Sequence, residues 1–264
     1  MNPKNRNAWI TGASSGIGQA LALEMARAGA KLILSARRRD RLEETASRCR
    51  AFGAKATILP LDLSRVEDLA GAAAEAESRL GQIDMLLNVA GVGQRGCALD
   101  TDFKVARRIM DVDFWGAVEL TRALAPGMIK RGAGQIVVLT SVLGKFGASR
   151  RSFYSASKHA LHGWFDSFRE EILGSGVEVT LIAPGWVRTD ISESALEADG
   201  GPHRDVDSGQ KGGLSPEECA RRAMSAISKG LPEQLVGGIE CGGVYLNRLW
   251  PWLFRRILRK RGIG

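Results

Sequence analysis

Ala8-Trp9-Ile10-Thr11-Gly12-Ala13-Ser14-Ser15-Gly16-Ile17-Gly18 passes from a short apolar run through a glycine turn into a helical pattern that continues to Ala28. A second apolar run, Lys31-Leu32-Ile33-Leu34-Ser35, follows at once and completes a strand-helix-strand unit. Glycine at positions 12, 16 and 18 lets the chain turn tightly and bring its backbone close to a pyrophosphate, whose charge would sit at the positive end of the following helix. A glycine-rich turn on its own is only loop punctuation, but between a strand and a helix it reads as a dinucleotide cradle. The spacing is Gly-x-x-x-Gly-x-Gly rather than the commoner Gly-x-Gly-x-x-Gly.

The same alternation runs through the chain. Apolar runs at 8–11, 31–35, 56–61, 83–88, 135–140, 177–183 and 234–236 are separated by long helical patterns, including 102–130 and 151–173. This predicts an α/β fold in which a doubly wound parallel sheet of about seven strands is flanked by helices on both faces. No linker divides the 264 residues, so we expect one domain over 1–243, with 244–264 as a C-terminal extension of it. Ligands in such sheets bind beyond the carboxyl ends of the strands, where Gly12, Asp62, Asn88, Ser141 and Pro184 fall.

Tyr154 and Lys158 lie four residues apart in Phe153-Tyr154-Ser155-Ala156-Ser157-Lys158, which stacks a phenol and an ammonium on one helix face. A cation beside a phenol favours its ionised form, which suits a tyrosine that trades a proton near neutrality. The bare pair occurs on many solvated helices, and its meaning depends on the rest of the chain.

Taken together, these residues resemble the short-chain dehydrogenase/reductase family. Thr11 to Gly18 match its cofactor turn, in which Gly12, Ser14, Ser15, Gly16, Ile17 and Gly18 are the binding positions, and Asp62-Leu63 match its adenine-contacting turn. Asn88-Val89-Ala90-Gly91 match its Asn-Asn-Ala-Gly motif with one substitution, leaving Asn88, Ala90 and Gly91 as binding positions. Ser141 matches the catalytic serine, and Pro184, Gly185, Val187 and Thr189 match the nicotinamide-side loop. The resemblance implies a single-domain Rossmann fold and a homodimer or homotetramer. It also implies a ketone-reducing or alcohol-oxidising chemistry. Tyr154 would be the acid or base, Ser141 would hold the substrate oxygen, and Lys158 would lower the tyrosine pKa and hold the ribose. Where the family has an asparagine that binds a water beside the lysine, this chain has Asp113. An ionised carboxylate accepts hydrogen bonds but donates none, so Asp113 is a catalytic-site candidate that takes the asparagine's role in an altered relay, or else it caps or pairs elsewhere.

The second strand ends in Ser35-Ala36-Arg37-Arg38-Arg39, with no carboxylate for a ribose 2′-hydroxyl. Arg37, helped by Arg38 and Ser35, offers donors for a 2′-phosphate, so the expected cofactor is NADP(H). The stretch at about 190–215, rich in glycine and polar residues, reads as a mobile lid over the substrate. Leu143, Phe146 and Trp186, with Val142 and Ile191, are the apolar candidates for lining a pocket that takes a hydrophobic ketone or alcohol.

Leu246, Leu249, Trp250, Leu253, Phe254, Ile257 and Leu258 recur at helical spacing, among Arg248, Arg255, Arg256, Arg259, Lys260 and Arg261. Such a basic amphipathic segment suits peripheral contact with a membrane interface, or else docking over the pocket mouth or a second subunit, and Pro251 interrupts it. The formal net charge is +8, but it gathers in this tail and around Arg37 without a recognition motif, so no nucleic-acid partner is expected. Cys49, Cys97, Cys219 and Cys241 are too scattered for a metal site or a secreted framework, and His159, His162 and His203 lack ligand spacing. With no apolar leader before the first strand, the chain reads as a cytoplasmic enzyme, peripherally membrane-associated if the tail binds lipid. The alternative to an enzyme is an NADP(H)-binding sensor with little turnover.

Overall fold

The structure, a computed structural model, describes residues 2–205 and 207–261. Val206 and residues 262–264, within the expected lid and tail, lie outside the described residues, as do the side chains of Ser208, Lys260 and Arg261.

The elements follow the chain as β1 (Asn7–Thr11), α1 (Gly16–Arg27), β2 (Lys31–Ser35), α2 (Arg39–Ala51), β3 (Ala56–Ile58), α3 (Leu69–Leu80) and β4 (Met85–Asn88). After the short β5 (Gln94–Arg95) come α4 (Phe103–Met110), α5 (Gly116–Arg131), β6 (Gly134–Leu139), α6 (Ser152–Glu171) and β7 (Val177–Pro184). The chain closes with β8 (Leu196–Glu197), α7 (Ser208–Lys211), α8 (Pro216–Ser228), β9 (Glu233–Val236), α9 (Ile239–Leu249) and α10 (Pro251–Arg261). Seven strands form one sheet in the order β3-β2-β1-β4-β6-β7-β9, every neighbouring pair parallel.

The strands are apolar almost throughout because both faces are covered, as a parallel sheet with crossover helices requires. Side chains alternate between two cores: Ile10, Met85 and Leu87 pack toward α1, α2 and α8, while Trp9, Leu86 and Ile136 pack toward α3, α5 and α6. Trp9 satisfies its buried indole N–H by donating to Ser35 Oγ at 2.8 Å. This fixes Ser35 inside the sheet and removes it from the phosphate site expected of it.

Three features depart from the sequence expectation. The single helix expected over 102–130 is interrupted by a π-helical turn at Asp111–Trp115, where the Gly116 N–H reaches back to the Asp111 carbonyl. Asp113 lies within that turn and is 1% exposed. The stretch after β7 is pinned rather than loose: β8 pairs with β5 in a second, two-stranded sheet, and Asp207 is held by two buried arginines. Finally, the C-terminal helices begin at Ile239, ahead of the expected boundary at 244, and Pro251 sits at the first position of α10, where its missing N–H costs nothing.

Candidate active site

Tyr154 and Lys158 stand one turn apart near the start of α6, with Lys158 Nζ 5.5 Å from the centre of the tyrosine ring. The phenol is half-buried, whereas the lysine is 3% exposed and has two anchors, the Leu139 carbonyl at 3.4 Å and Asp113 Oδ2 at 3.3 Å. Asp113 also accepts from the Val92 N–H at 2.7 Å and from Ser157 Oγ at 3.5 Å. Burial pushes the Asp113 carboxyl above its ordinary value, against the opposing pull of the Lys158 ammonium and the Val92 N–H. Ser141, at the end of β6, is buried and accepts from the Leu143 N–H at 3.1 Å.

The glycine turn is locked to the Asn88–Gly91 loop. Thr11 Oγ1 accepts from the N–H groups of Val89 (3.0 Å) and Ala90 (3.2 Å), a connection that no motif announced. Gly12 has φ +68°, and a Cβ there would lie 2.8 Å from Ala90 Cα. A Cβ at Gly91 would lie 3.3 Å from Lys158 Nζ and 3.5 Å from Asp113 Oδ1, so a side chain there would press on the ion pair. Asn88 is turned inward, donating to the Ala117 carbonyl and Thr121 Oγ1.

Beside the turn, a cavity of about 270 Å³ is lined by Ser14, Ser15, Gly16, Gln19, Arg38, Arg41, Glu44, Arg188, Thr189, Asp190 and Pro216. Arg38, rather than Arg37, reaches the turn, placing Nη2 3.5 Å from Ser14 Oγ and 3.3 Å from Ser15 Oγ. Arg37 is exposed and acts on Asp62. Asp62 caps its own turn by accepting from Ser64 N–H and Oγ; burial would raise its pKa, but these bonds and the Arg37 and Arg108 charges outweigh it and hold the carboxyl low. The side chains of Leu63 and Val187 face the core, as does part of Ile17, which leaves their backbones to meet a ligand.

On the other side, Gly209 and Gly213 pack directly on Trp186, so the α7 segment covers that ring. Phe146 meets Phe254 of α10 edge to face at 4.8 Å, and Glu240 of α9 accepts from the Trp186 N–H at 3.0 Å against Gly185. The C-terminal helices are thereby docked on the loops that carry Phe146, Gly185 and Trp186. Val142 is buried beside Ser141, and Leu143 and Ile191 are half-buried.

Sequence reasoning missed Gln94. It is fully buried, and its Oε1 accepts from the N–H groups of Phe153 (2.8 Å) and Tyr154 (3.2 Å), capping the helix on which Tyr154 rides. A lone glutamine in an irregular stretch carries no signal for this. Among the described residues, no cluster of three or more side chains could hold a metal ion, and no helix is long and apolar enough to cross a membrane.

Residues 6–200 match the family model described as short chain dehydrogenase. The chain belongs to the short-chain dehydrogenase/reductase family. It is 38% identical over 259 residues to the dehydrogenase/reductase SDR family member 7B of Danio rerio, covering 96% of this chain and 84% of that one. A short-chain dehydrogenase/reductase from Burkholderia phymatum, solved in complex with NAD, superposes with a TM-score of 0.84 at 25% identity over 94% of both chains. An alcohol dehydrogenase from Thermococcus sibiricus, complexed with 5-hydroxy-NADP, gives 0.77 at 25% identity, covering 89% of this chain and 97% of that one. The protein is thus an oxidoreductase of a family whose members hold nicotinamide dinucleotides. The cavity at its glycine turn presents three arginines, Arg38, Arg41 and Arg188, beside the carboxylates Glu44 and Asp190.

Proposed function

We propose that this short-chain dehydrogenase/reductase uses NADPH to reduce a ketone on a hydrophobic, lipid- or steroid-like body to a secondary alcohol, and catalyses the reverse oxidation with the same groups. The observation that carries the reading is the placing of Tyr154 and Lys158 one turn apart on α6, with Lys158 bonded to the Leu139 carbonyl two residues before Ser141, in a chain that carries the glycine cradle after β1. When bound, the nicotinamide supplies the hydride. Tyr154 gives the proton to the substrate oxygen, Ser141 donates a hydrogen bond to that oxygen as it becomes negative, and Lys158 supports the charge left on the phenol. Asp113 holds Lys158 in place directly, in the position where the family uses an asparagine and water. Arg38 at the turn, with Arg37 outside it, favours a 2′-phosphate over a ribose hydroxyl.

The apolar rings Phe146 and Trp186 support a hydrophobic substrate. We further propose a cytoplasmic enzyme; the exposed aromatics of α9 and α10 among arginines support contact with anionic membranes, and the family supports a homodimer or homotetramer. The Asp113–Lys158 pair also favours a second reading, an NADP(H) sensor, since a buried carboxylate holds the lysine's charge in check.

The test follows NADPH oxidation, with NADH as control, across steroid, 3-keto-lipid and aromatic ketones, in the wild type and in Tyr154→Phe. Turnover that prefers NADPH and falls at least about a hundredfold in Tyr154→Phe is the expected result. Tight NADPH binding with no turnover on any of them would replace the enzyme by the sensor.

A further inference from the structure

A second cluster of charge lies beside Tyr154 and takes no part in the proton transfer described above. Arg95 of β5 and Arg151, the residue before α6, are each 7% exposed, and both close on the carboxylate of Asp207. Arg95 Nε donates to Asp207 Oδ1 at 3.2 Å and its Nη2 to Oδ2; Arg151 Nη2 donates to Oδ2 at 3.0 Å, and Ser192 Oγ adds a bond to the same oxygen at 2.8 Å. Both guanidiniums also donate to the Gln94 carbonyl.

Two cations therefore share one anion in a nearly closed space, which leaves a net positive charge out of water. Pinning a loop needs only one pair, and an uncompensated buried cation opposes folding. Arg151 caps α6 three residues before Tyr154, and Gln94 links the two: its carbonyl accepts from both guanidiniums and its Oε1 accepts from the Tyr154 N–H at 3.2 Å. Asp207, by contrast, comes from the segment between β7 and α8 that covers Trp186, and its side chain is 19% exposed.

We propose that Arg95 and Arg151 form an anion-binding subsite of the substrate pocket, filled here by the Asp207 carboxylate, and that the ketone substrate carries a carboxylate or phosphate which takes Asp207's place. The inference rests on the reductase reading and adds a charged end to its hydrophobic substrate. The guanidinium forks match either anion in two-point geometry, a doubly charged phosphate would neutralise both cations, and Asp207 once displaced can be solvated at the surface. The closeness of Arg151 to Tyr154 sets the anionic group a few bonds from the carbonyl. The apolar body then extends toward Trp186 and Phe146.

The test begins with binding, which does not depend on turnover. Decanol, decanoate and decyl phosphate are titrated calorimetrically into the full chain, its Asp207→Asn variant and its Arg151→Gln variant, each checked for unchanged NADPH affinity. The expected result is that both anions bind the wild type about tenfold or more tightly than decanol. Asp207→Asn should tighten the anions further and leave decanol alone, and Arg151→Gln should erase the discrimination. Equal affinity for anion and alcohol would overturn the proposal. So would an Asp207→Asn variant that loses thermal stability without gaining anion affinity, since Asp207 would then be only a structural tie.

Turnover of 4-oxodecanoate against 4-decanone separates this inference from the reading beneath it. Equal reduction of the two ketones overturns the subsite and leaves the reductase standing. Anion binding that obeys the variant pattern, with neither ketone reduced, keeps the subsite and overturns the reductase.

Discussion

Lys158 Nζ lies 3.3 Å from Asp113 Oδ2, and neither side chain is more than 4% exposed. The lysine that faces Tyr154 is thus held by a direct ion pair, where the family's asparagine would hold it through water. Asp113 sits inside the π turn at Asp111–Trp115, with its side chain buried. Gly91 leaves room for both charged groups.

Breaking the pair should be costly in a graded way. Asp113→Ala leaves the Lys158 ammonium buried without a counter-charge, and we expect a loss of about 3–5 kcal/mol in the free energy of urea unfolding. Asp113→Asn should lose less, because an amide carbonyl still accepts from the Val92 N–H and from Lys158. Activity should follow the same order. A variant Asp113→Ala as stable as the wild type would show that the carboxylate and the ammonium do not depend on one another.

Cofactor choice should follow Arg38 more than Arg37. Arg38 is placed at the Ser14 and Ser15 hydroxyls, whereas Arg37 points to solvent and to Asp62. Replacing Arg38 by alanine should weaken NADPH binding by about ten- to a hundredfold, the worth of a charge-assisted contact, and leave NADH nearly unchanged. Fluorescence titration of both nucleotides reads the difference directly. An equal loss for the two would assign Arg38 to the pyrophosphate rather than to the 2′-phosphate.

The strand-turn-helix at Ala8–Ala20 and the order of apolar runs made the sheet legible, since buried parallel strands are continuous apolar runs and glycine turns mark their ends. Tyr154 and Lys158 stood out by their four-residue spacing and Ser141 only through the family resemblance; the structure places Ser141 just after β6 and the pair on α6. The π turn was not legible, because the local sequence carries no signal for it, and the contacts that accompany it, Asp113 with Lys158 and Gly116 with Leu63, join distant parts of the chain. Gln94, Arg95, Arg151 and Asp207 were opaque too. Each looks like a surface residue in sequence, and only the pairing of β5 with β8 brings them inside. The exchange between Arg37 and Arg38 turns on which of two adjacent side chains the end of β2 aims at the turn, a one-residue matter that charge patterning cannot resolve.

His162 should make the protein acid-sensitive. The ring is 6% exposed, neither nitrogen has a hydrogen-bond partner among the described residues, and it packs under Gly144. Burial, with help from the Lys145 charge and against Glu233 and Asp166, drags its pKa from 6.5 down to about 4. Between those values the unfolded chain binds a proton that the folded one refuses, so stability is full above about pH 6.5 and falls as the pH drops toward about 4. The loss from this group is about 2–3 kcal/mol. Urea unfolding at pH 7 and pH 4.5 should show a smaller drop for His162→Phe than for the wild type; equal drops would mean that the ring protonates in place.

The C-terminal helices should respond differently on their two faces. Phe254 is 7% exposed against Phe146, while Tyr245, Leu249, Trp250 and Trp252 are between 52% and 66% exposed and share the hairpin with Arg248, Arg255, Arg256 and Arg259. Phe254→Ala removes a buried ring and should loosen α10 by about 3 kcal/mol or more, read as faster proteolysis within 239–261. Replacing Trp250 and Trp252 together by serine removes exposed surface and should change stability by less than about 1 kcal/mol. Because tryptophan at headgroup depth and arginine near anionic lipid act together, that double variant should lose cosedimentation with phosphatidylglycerol vesicles, while neither protein binds pure phosphatidylcholine. If the double variant instead keeps its lipid behaviour and shifts from dimer to monomer in solution, the exposed rings belong to a second copy of the chain and the arginines only frame that contact.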